Sequence, residues 1–176
     1  MPLCKSFTRR YLRQDGPERQ SPERQAMASD TDLIKLYSQR ILALAADIPH
    51  RGRLDAPQAS VKKRAPLCGS TVTVDLSLAD GVISEFAQDV KACALGQASA
   101  ALLGQNIIGR SRLEVEAARD ALHAMLKDNG TPPGAPWEGY EVLEPAREYR
   151  NRHASIMLSL DATAAAMAEA EQSACA

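Results

Sequence analysis

The chain has 176 residues, of which 45% are apolar and 24% charged, with 21 Lys and Arg against 22 Asp and Glu. That length and composition predict one globular domain with its own core and exclude a wholly disordered chain. The net charge of −1 excludes the basic excess of a general nucleic-acid binder, and no apolar run approaches the ~18 residues of a membrane span. With nothing resembling a secretory segment either, the expectation is a cytoplasmic protein without nucleic-acid or membrane partners. Aromatic residues are only 4%, so the core must be built from Ala, Leu, Ile and Val.

Residues 1–26 carry Lys5, Arg9, Arg10, Arg13, Arg19 and Arg24 and a near-repeat of PERQ, with no hydrophobic period. Such a segment cannot repay the entropy of ordering and reads as a disordered arm, with Met27 as the expected working start. The division is therefore a disordered extension, 1–28, and one folded domain, 29–176. Leu33, Leu36, Tyr37, Ile41, Leu44 and Ile48 recur at three- and four-residue steps and predict an amphipathic helix over 31–48, capped by Ser29, Asp30 or Thr31 and ended by Pro49. His50 to Pro57 reads as a loop and Gln58–Arg64 as a short first strand. In Thr71–Leu78 the strict alternation of Val72, Val74, Leu76 and Leu78 predicts a half-buried strand; Asp80-Gly81 is a hairpin signal, and Val82–Val90 returns.

After Cys93 a small-residue-rich helix is expected to about Ile108, stopped by Gly109. A second opens at Ser111 with a stripe of Val115, Ala118, Leu122 and Met125, and Asn129-Gly130 closes it. Thr131–Gly139 is a loop, Pro145–Arg152 one or two helical turns, and the last helix runs from about His153 to Gln172 with Ile156, Leu160, Ala164 and Met167 inward. The order predicts an α+β fold: a small antiparallel sheet of two or three strands covered on one side by helices.

Of the four cysteines, Cys4 and Cys175 are terminal and read as spectators. Cys68 immediately precedes one strand of the hairpin and Cys93 ends the other, so the hairpin is expected to bring the two thiols together. The start of the following helix lies beside Cys93 and favours its thiolate, the form that binds metal or attacks sulfur. Two soft ligands suit zinc or iron–sulfur chemistry, and two buried structural cysteines would fit the spacing equally.

Arg53-Leu54-Asp55-Ala56-Pro57, Pro66-Leu67-Cys68-Gly69, the hairpin, Asp89 through Ala100 and Arg152-His153-Ala154-Ser155-Ile156-Met157-Leu158 together resemble the IscU/SufU (NifU N-terminal) iron–sulfur scaffold family over residues 31–170. The long, Pro-Gly-containing segment between Cys93 and His153 is similar to the SufU type. The resemblance implies an α+β fold with three ligand-bearing loops converging at one end of a three-stranded sheet. It also implies a cysteine desulfurase as the sulfur-delivering partner and apo-proteins or carriers as recipients. Carried over residue by residue, it implies Cys68, Cys93 and His153 as ligands. Where the family has an Asp after the first Cys this chain has Ser70, where it has a third Cys it has Ala154, and the residue before the second Cys is Ala92 rather than Gly. The chaperone-docking pattern is absent at Tyr149-Arg150-Asn151-Arg152, so that partner is not implied.

The function implied is a scaffold or carrier, not a turnover enzyme, holding iron, a [2Fe–2S] cluster or zinc through Cys68, Cys93 and His153. With no third thiol, either Cys68 or Cys93 takes the sulfur directly. The alternatives are a SufU-like zinc-dependent sulfurtransferase and a degenerate module that only binds the desulfurase. Of the remaining candidates, His123 and His50 are expected at the surface, and Lys62-Lys63-Arg64 as a solvated strand edge or a patch for an acidic desulfurase surface. No phosphate-binding glycine loop or GxSxG nucleophile signature occurs.

Overall fold

The structure, a computed structural model, describes residues 38–174. The expected arm, Cys4, Cys175 and the first part of the predicted opening helix lie outside the described residues. The described part of that helix, α1 (Gln39–Ala46), is capped by Ser38, whose side chain accepts from the Ile41 N–H at 3.4 Å. It buries Ile41 against the rest of the core.

Three strands follow: β1 (Ala59–Arg64), β2 (Thr71–Ala79) and β3 (Val82–Lys91), antiparallel in the order β1-β2-β3. The predicted α+β class and three-stranded sheet are as expected. Asp80 and Gly81, at φ 51° and 77°, make the tight hairpin turn that both residues' left-handed backbone allows. The register pairs Thr71 with Lys91, so the segments carrying Cys68 and Cys93 leave the sheet at the same end.

The half-buried reading of β2 requires correction. Thr73 and Asp75, on the face opposite Val72, Val74 and Leu76, are buried as well, Asp75 completely. The cover on that face includes the preceding loop: Arg53 grips the Asp75 carboxylate through Nε and Nη2, the Leu54 N–H donates to it at 3.1 Å, and Arg53 Nη2 also reaches Ser60. Burial alone would raise this carboxyl. Hydrogen bonds from Arg53, Ser60 and the Leu54 N–H, with the Arg53 charge, hold it below the ordinary aspartate range. Lys62, Lys63 and Arg64 lie exposed on β1, an edge strand, and a charged edge resists pairing with another chain.

Helix α2 (Ala94–Asn106) is buried over most of its length and α3 (Arg112–Lys127) is amphipathic. At the start of α3, Ser111 and Glu114 form a reciprocal capping box, and Arg110 adds an ion pair. The turns expected over Pro145–Arg152 are divided in the structure: a 3₁₀ stretch, Glu138–Glu148, starts earlier, within the expected loop, and the last helix, α4 (Arg150–Ala174), begins three residues before His153. The break falls at Tyr149, whose carbonyl accepts the Arg152 N–H at 2.8 Å as α4 starts.

Helices α2 and α4 approach closely because small residues line the contact. Ser99 Oγ donates to the Ile156 carbonyl at 2.6 Å, and Tyr140, fully buried, donates to the Ser99 carbonyl at 3.0 Å. A Cβ on Gly96 would lie 2.5 Å from Ser155 Oγ and 2.9 Å from the Ser155 carbonyl oxygen and the Ala92 Cβ. Gly96→Ala is therefore expected to lower stability by about 1–3 kcal/mol through overpacking, measured by denaturant unfolding. Only wild-type stability would contradict the close approach. The Glu114 carboxyl is held down to about 2 from an ordinary value of 4.5, first by the Ser111 backbone and hydroxyl and then by Arg110. Its contribution is present above pH 4.5 and is lost as pH falls toward about 2. The difference in thermal midpoint between wild type and Glu114→Gln is expected to shrink over that window in a pH series.

Candidate functional site

Cys68 lies in the turn that joins β1 to β2. The Ala65 N–H donates to the Ser70 carbonyl and the Gly69 N–H to the Ala65 carbonyl, closing the loop. Its neighbour Leu67 projects into solvent at 79% exposure, an apolar residue held beside a thiol. Cys93 is the N-cap residue of α2 with an extended backbone, and both thiols are free and half-buried. The sequence expectation of a thiol pair at one end of the sheet matches this arrangement.

Two serines join the thiols. Cys68 Sγ lies 3.1 Å from Ser70 Oγ, Ser70 Oγ accepts from Ser155 Oγ at 3.1 Å, and Ser155 Oγ lies 3.5 Å from Cys93 Sγ. Each hydroxyl has one proton. Ser155 spends its proton on Ser70, so towards Cys93 it can only accept, and the Cys93 thiol donates. Ser70, already accepting from Ser155, has its own proton for Cys68. With Cys68 ionised, the chain of hydrogen bonds runs from Cys93 through Ser155 and Ser70 and ends on the Cys68 sulfur, which as a thiolate can only accept. Consistent with that polarity, the Ser70 hydroxyl draws the Cys68 thiol below the ordinary cysteine range against the opposing effect of burial, helped by the Ser70 N–H and Ser155.

Ser70 figures in the sequence reading only as a departure from the family pattern, and Ser155 has no role there. Both are buried, Ser70 at 6% and Ser155 at 1% exposure, and only the folded contact between the β1–β2 turn and α4 reveals them. His153 is positioned differently. It is buried, and its Nε2 lies 3.0 Å and 3.1 Å from the carbonyls of Ala146 and Arg147. Successive helical residues point about 100° apart, so His153, Ala154 and Ser155 face three directions, and Ser155 is the one hydrogen-bonded into the thiol chain. Among the described residues no three His, Cys, Asp or Glu side chains converge as a metal-ligand group, so Cys68, Cys93 and His153 do not stand together here. His123 is exposed, as expected; His50 is exposed too, in a left-handed turn with its ring edge-on to Phe86.

A three-stranded antiparallel sheet with helices packed against it is a fold with solved counterparts. The solved N-terminal part of a nitrogen-fixing NifU-like protein from Brucella abortus is 43% identical, with a TM-score of 0.78, covering 80% of this chain and 98% of that one. The chain belongs to the IscU and NifU N-terminal-like family of iron–sulfur cluster assembly scaffolds. A SufU-type protein from Fervidobacterium islandicum, titled a putative iron–sulfur cluster assembly scaffold protein, shares the fold at 17% identity and a TM-score of 0.68, covering 76% of this chain and 98% of that one. The iron–sulfur cluster assembly scaffold protein IscU of Thermotoga maritima is 32% identical over 80 residues, 46% of this chain and 56% of that relative's length. No family model matches the chain. No helix among the described residues is long and apolar enough to cross a membrane.

The hydrogen-bond polarity makes a direct prediction. Alkylation of Cys68 by iodoacetamide, followed by peptide mass spectrometry against pH, is expected to show half-maximal rate below the ordinary cysteine range. Ser70→Ala is expected to move that midpoint upward. An unmoved Cys68 midpoint would contradict the assigned polarity.

Proposed function

We propose that the chain carries iron–sulfur cargo, iron or a [2Fe–2S] cluster, on the thiolates of Cys68 and Cys93, with sulfur arriving from a cysteine desulfurase. The observation that carries this reading is the serine-bridged thiol pair at the loop end of the sheet. Two soft thiolates suit iron, zinc and cluster sulfur chemistry. His153, implied as a third ligand by the resemblance, does not stand with the two thiols among the described residues; its Nε2 is held by the carbonyls of Ala146 and Arg147, which leaves Nδ1 as the ring nitrogen that could ligate. The geometry therefore supports a two-thiolate cradle best, with the remaining positions filled by a partner's donors or water.

Of the two cysteines, Cys68 is the better sulfur acceptor, because the hydrogen-bond chain ends on it and favours its thiolate. In the transfer step the Cys68 thiolate attacks the terminal sulfur of the partner's persulfide. A new S–S bond forms at Cys68, the partner's own S–S bond breaks, and the partner's cysteine departs as thiolate. Leu67, exposed beside the attacking sulfur, offers an apolar contact for the donor protein. The chain itself is a scaffold or carrier, delivering cargo to apo-proteins or to intermediate carriers. The same acceptor position favours a second reading, a zinc-dependent sulfurtransferase in which persulfide rather than cluster is the cargo.

Iron, acid-labile sulfide and zinc content of protein purified without oxygen tests the proposal. Equal amounts of iron and sulfide, lost in both Cys68→Ser and Cys93→Ser and retained in His153→Ala, are expected. Zinc without sulfide, with a persulfide adduct confined to Cys68, would replace the scaffold reading by the sulfurtransferase. Neither metal nor adduct in a folded protein would overturn both.

A further inference from the structure

Strand register gathers positive charge beside the thiols. Side chains alternate between the two faces of a strand, and directly paired residues of antiparallel strands share a face. On the face opposite Val72 and Val74, the row nearest the thiols therefore holds Arg64, Thr71 and Lys91, and the next holds Lys62, Thr73 and Asp89. Lys62, Arg64 and Lys91 are all exposed. Far apart in the chain, they are brought together by pairing: Arg64 and Lys91 sit two strand spacings apart, roughly 10 Å. The chain as a whole is balanced at a net charge of −1, so this platform is a local concentration of charge.

Little of that charge is used inside the fold. Lys91 lies 3.6 Å from Asp89 with both side chains open to water, a contact of small worth. Asp75, next along the same face, is committed to Arg53. Lys62 and Arg64 make no ion pair among the described residues, and neighbouring like charges at a surface repel. Lys63, between them in sequence, is different: it pairs with Val72 and lines the cleft beside Asp161 on the other face. At the edge of the platform the turn that carries Cys68 holds Leu67 out at 79% exposure, beside exposed Pro66. A large apolar side chain next to a reactive sulfur, with cations along one flank, has the make-up of a protein docking surface: an apolar anchor and a charged rim.

We propose that Leu67 and the cations Lys62, Arg64 and Lys91 dock an acidic face of the protein that delivers persulfide sulfur to Cys68. The inference rests on the sulfur-acceptor reading of Cys68 and adds how the donor is recognised. Leu67 enters an apolar pocket next to the donor's reactive cysteine, and carboxylates on one side of that pocket meet the three cations. Opposite charge speeds the encounter and, because the cations lie on one flank of the anchor only, fixes the donor's orientation over Cys68. The charged edge that resists an added strand is no obstacle here, since the contacts are made by side chains.

Binding of the same organism's cysteine desulfurase to the full chain, followed by biolayer interferometry, tests this in wild type and in a Cys68→Ser background where no sulfur can pass. In both, Lys62→Gln/Arg64→Gln/Lys91→Gln is expected to weaken binding about tenfold, largely through the association rate, and Leu67→Ser to speed dissociation. Lys63→Gln is expected to bind as wild type. Added salt should weaken wild type and barely affect the triple variant. All the substituted side chains are exposed, so circular dichroism should find the variants folded. Cysteine persulfide, a small donor that needs no docking, is expected to load Cys68 equally in wild type and the triple variant. Desulfurase binding unchanged by the triple substitution, equal weakening by Lys63→Gln, or no binding at all would overturn the proposal. So would loss of loading from cysteine persulfide in the triple variant, which would place the effect on the thiol. Charge-dependent binding with Cys68 unloaded by either donor would support the docking surface and sink the sulfur-acceptor reading instead.

Discussion

The close contact between α2 and α4 governs the arrangement of the site. Gly96 leaves room for Ser155 to press against α2, and Ser99 locks the two helices by donating to the Ile156 carbonyl. Because Cys93 is the residue that caps α2, fixing α2 against α4 also fixes one thiol against Ser155. The second thiol is fixed by the sheet, since Cys68 and Ser70 lie in the turn between β1 and β2. Ser155 on α4 is the point where these two constraints meet. A side chain as small as a methyl group at Gly96 would therefore disturb a site several residues away.

The two serines matter because a hydroxyl has one proton to give. A pair of thiols in direct contact has no preferred direction, whereas the serine bridge assigns Cys93 as donor and Cys68 as acceptor. One fold can in this way hold two chemically identical residues in unequal roles without an added charge. A carboxylate in place of Ser70 would oppose a thiolate at Cys68 by like-charge repulsion unless a metal lay between them. The neutral hydroxyl favours that thiolate with or without metal.

Around α4 the chain separates two environments by helical periodicity. Ser155 faces the thiols, while His153 and Ala154 line the cleft shared with α3. Charge is handled differently in the two halves of the molecule. Asp75 is buried and fully matched by Arg53, so it pins the loop before β1 to the sheet. At the surface, Lys127 stands in the last turn of α3, where the helix dipole favours a cation. Both arrangements serve the fold.

Much of the architecture was legible in the chain itself. The alternation of Val72, Val74 and Leu76, the Asp80-Gly81 turn, the Ser111 cap and the stripe on α3 are local signals, set by side-chain period and backbone preference, and they predicted the α+β order. The hairpin also predicted that Cys68 and Cys93 would lie at one end of the sheet, because an antiparallel return does this for any sequence. What only the tertiary structure decided were contacts between residues far apart in the chain. Asp75 is buried because a loop more than twenty residues earlier folds over it. Ser155 enters the thiol chain because of how α4 packs, and His153 turns away because the carbonyls of Ala146 and Arg147 claim its ring. No local period encodes which side of a buried helix meets which partner. In α4, mostly buried and built largely of small residues, that choice belongs to packing.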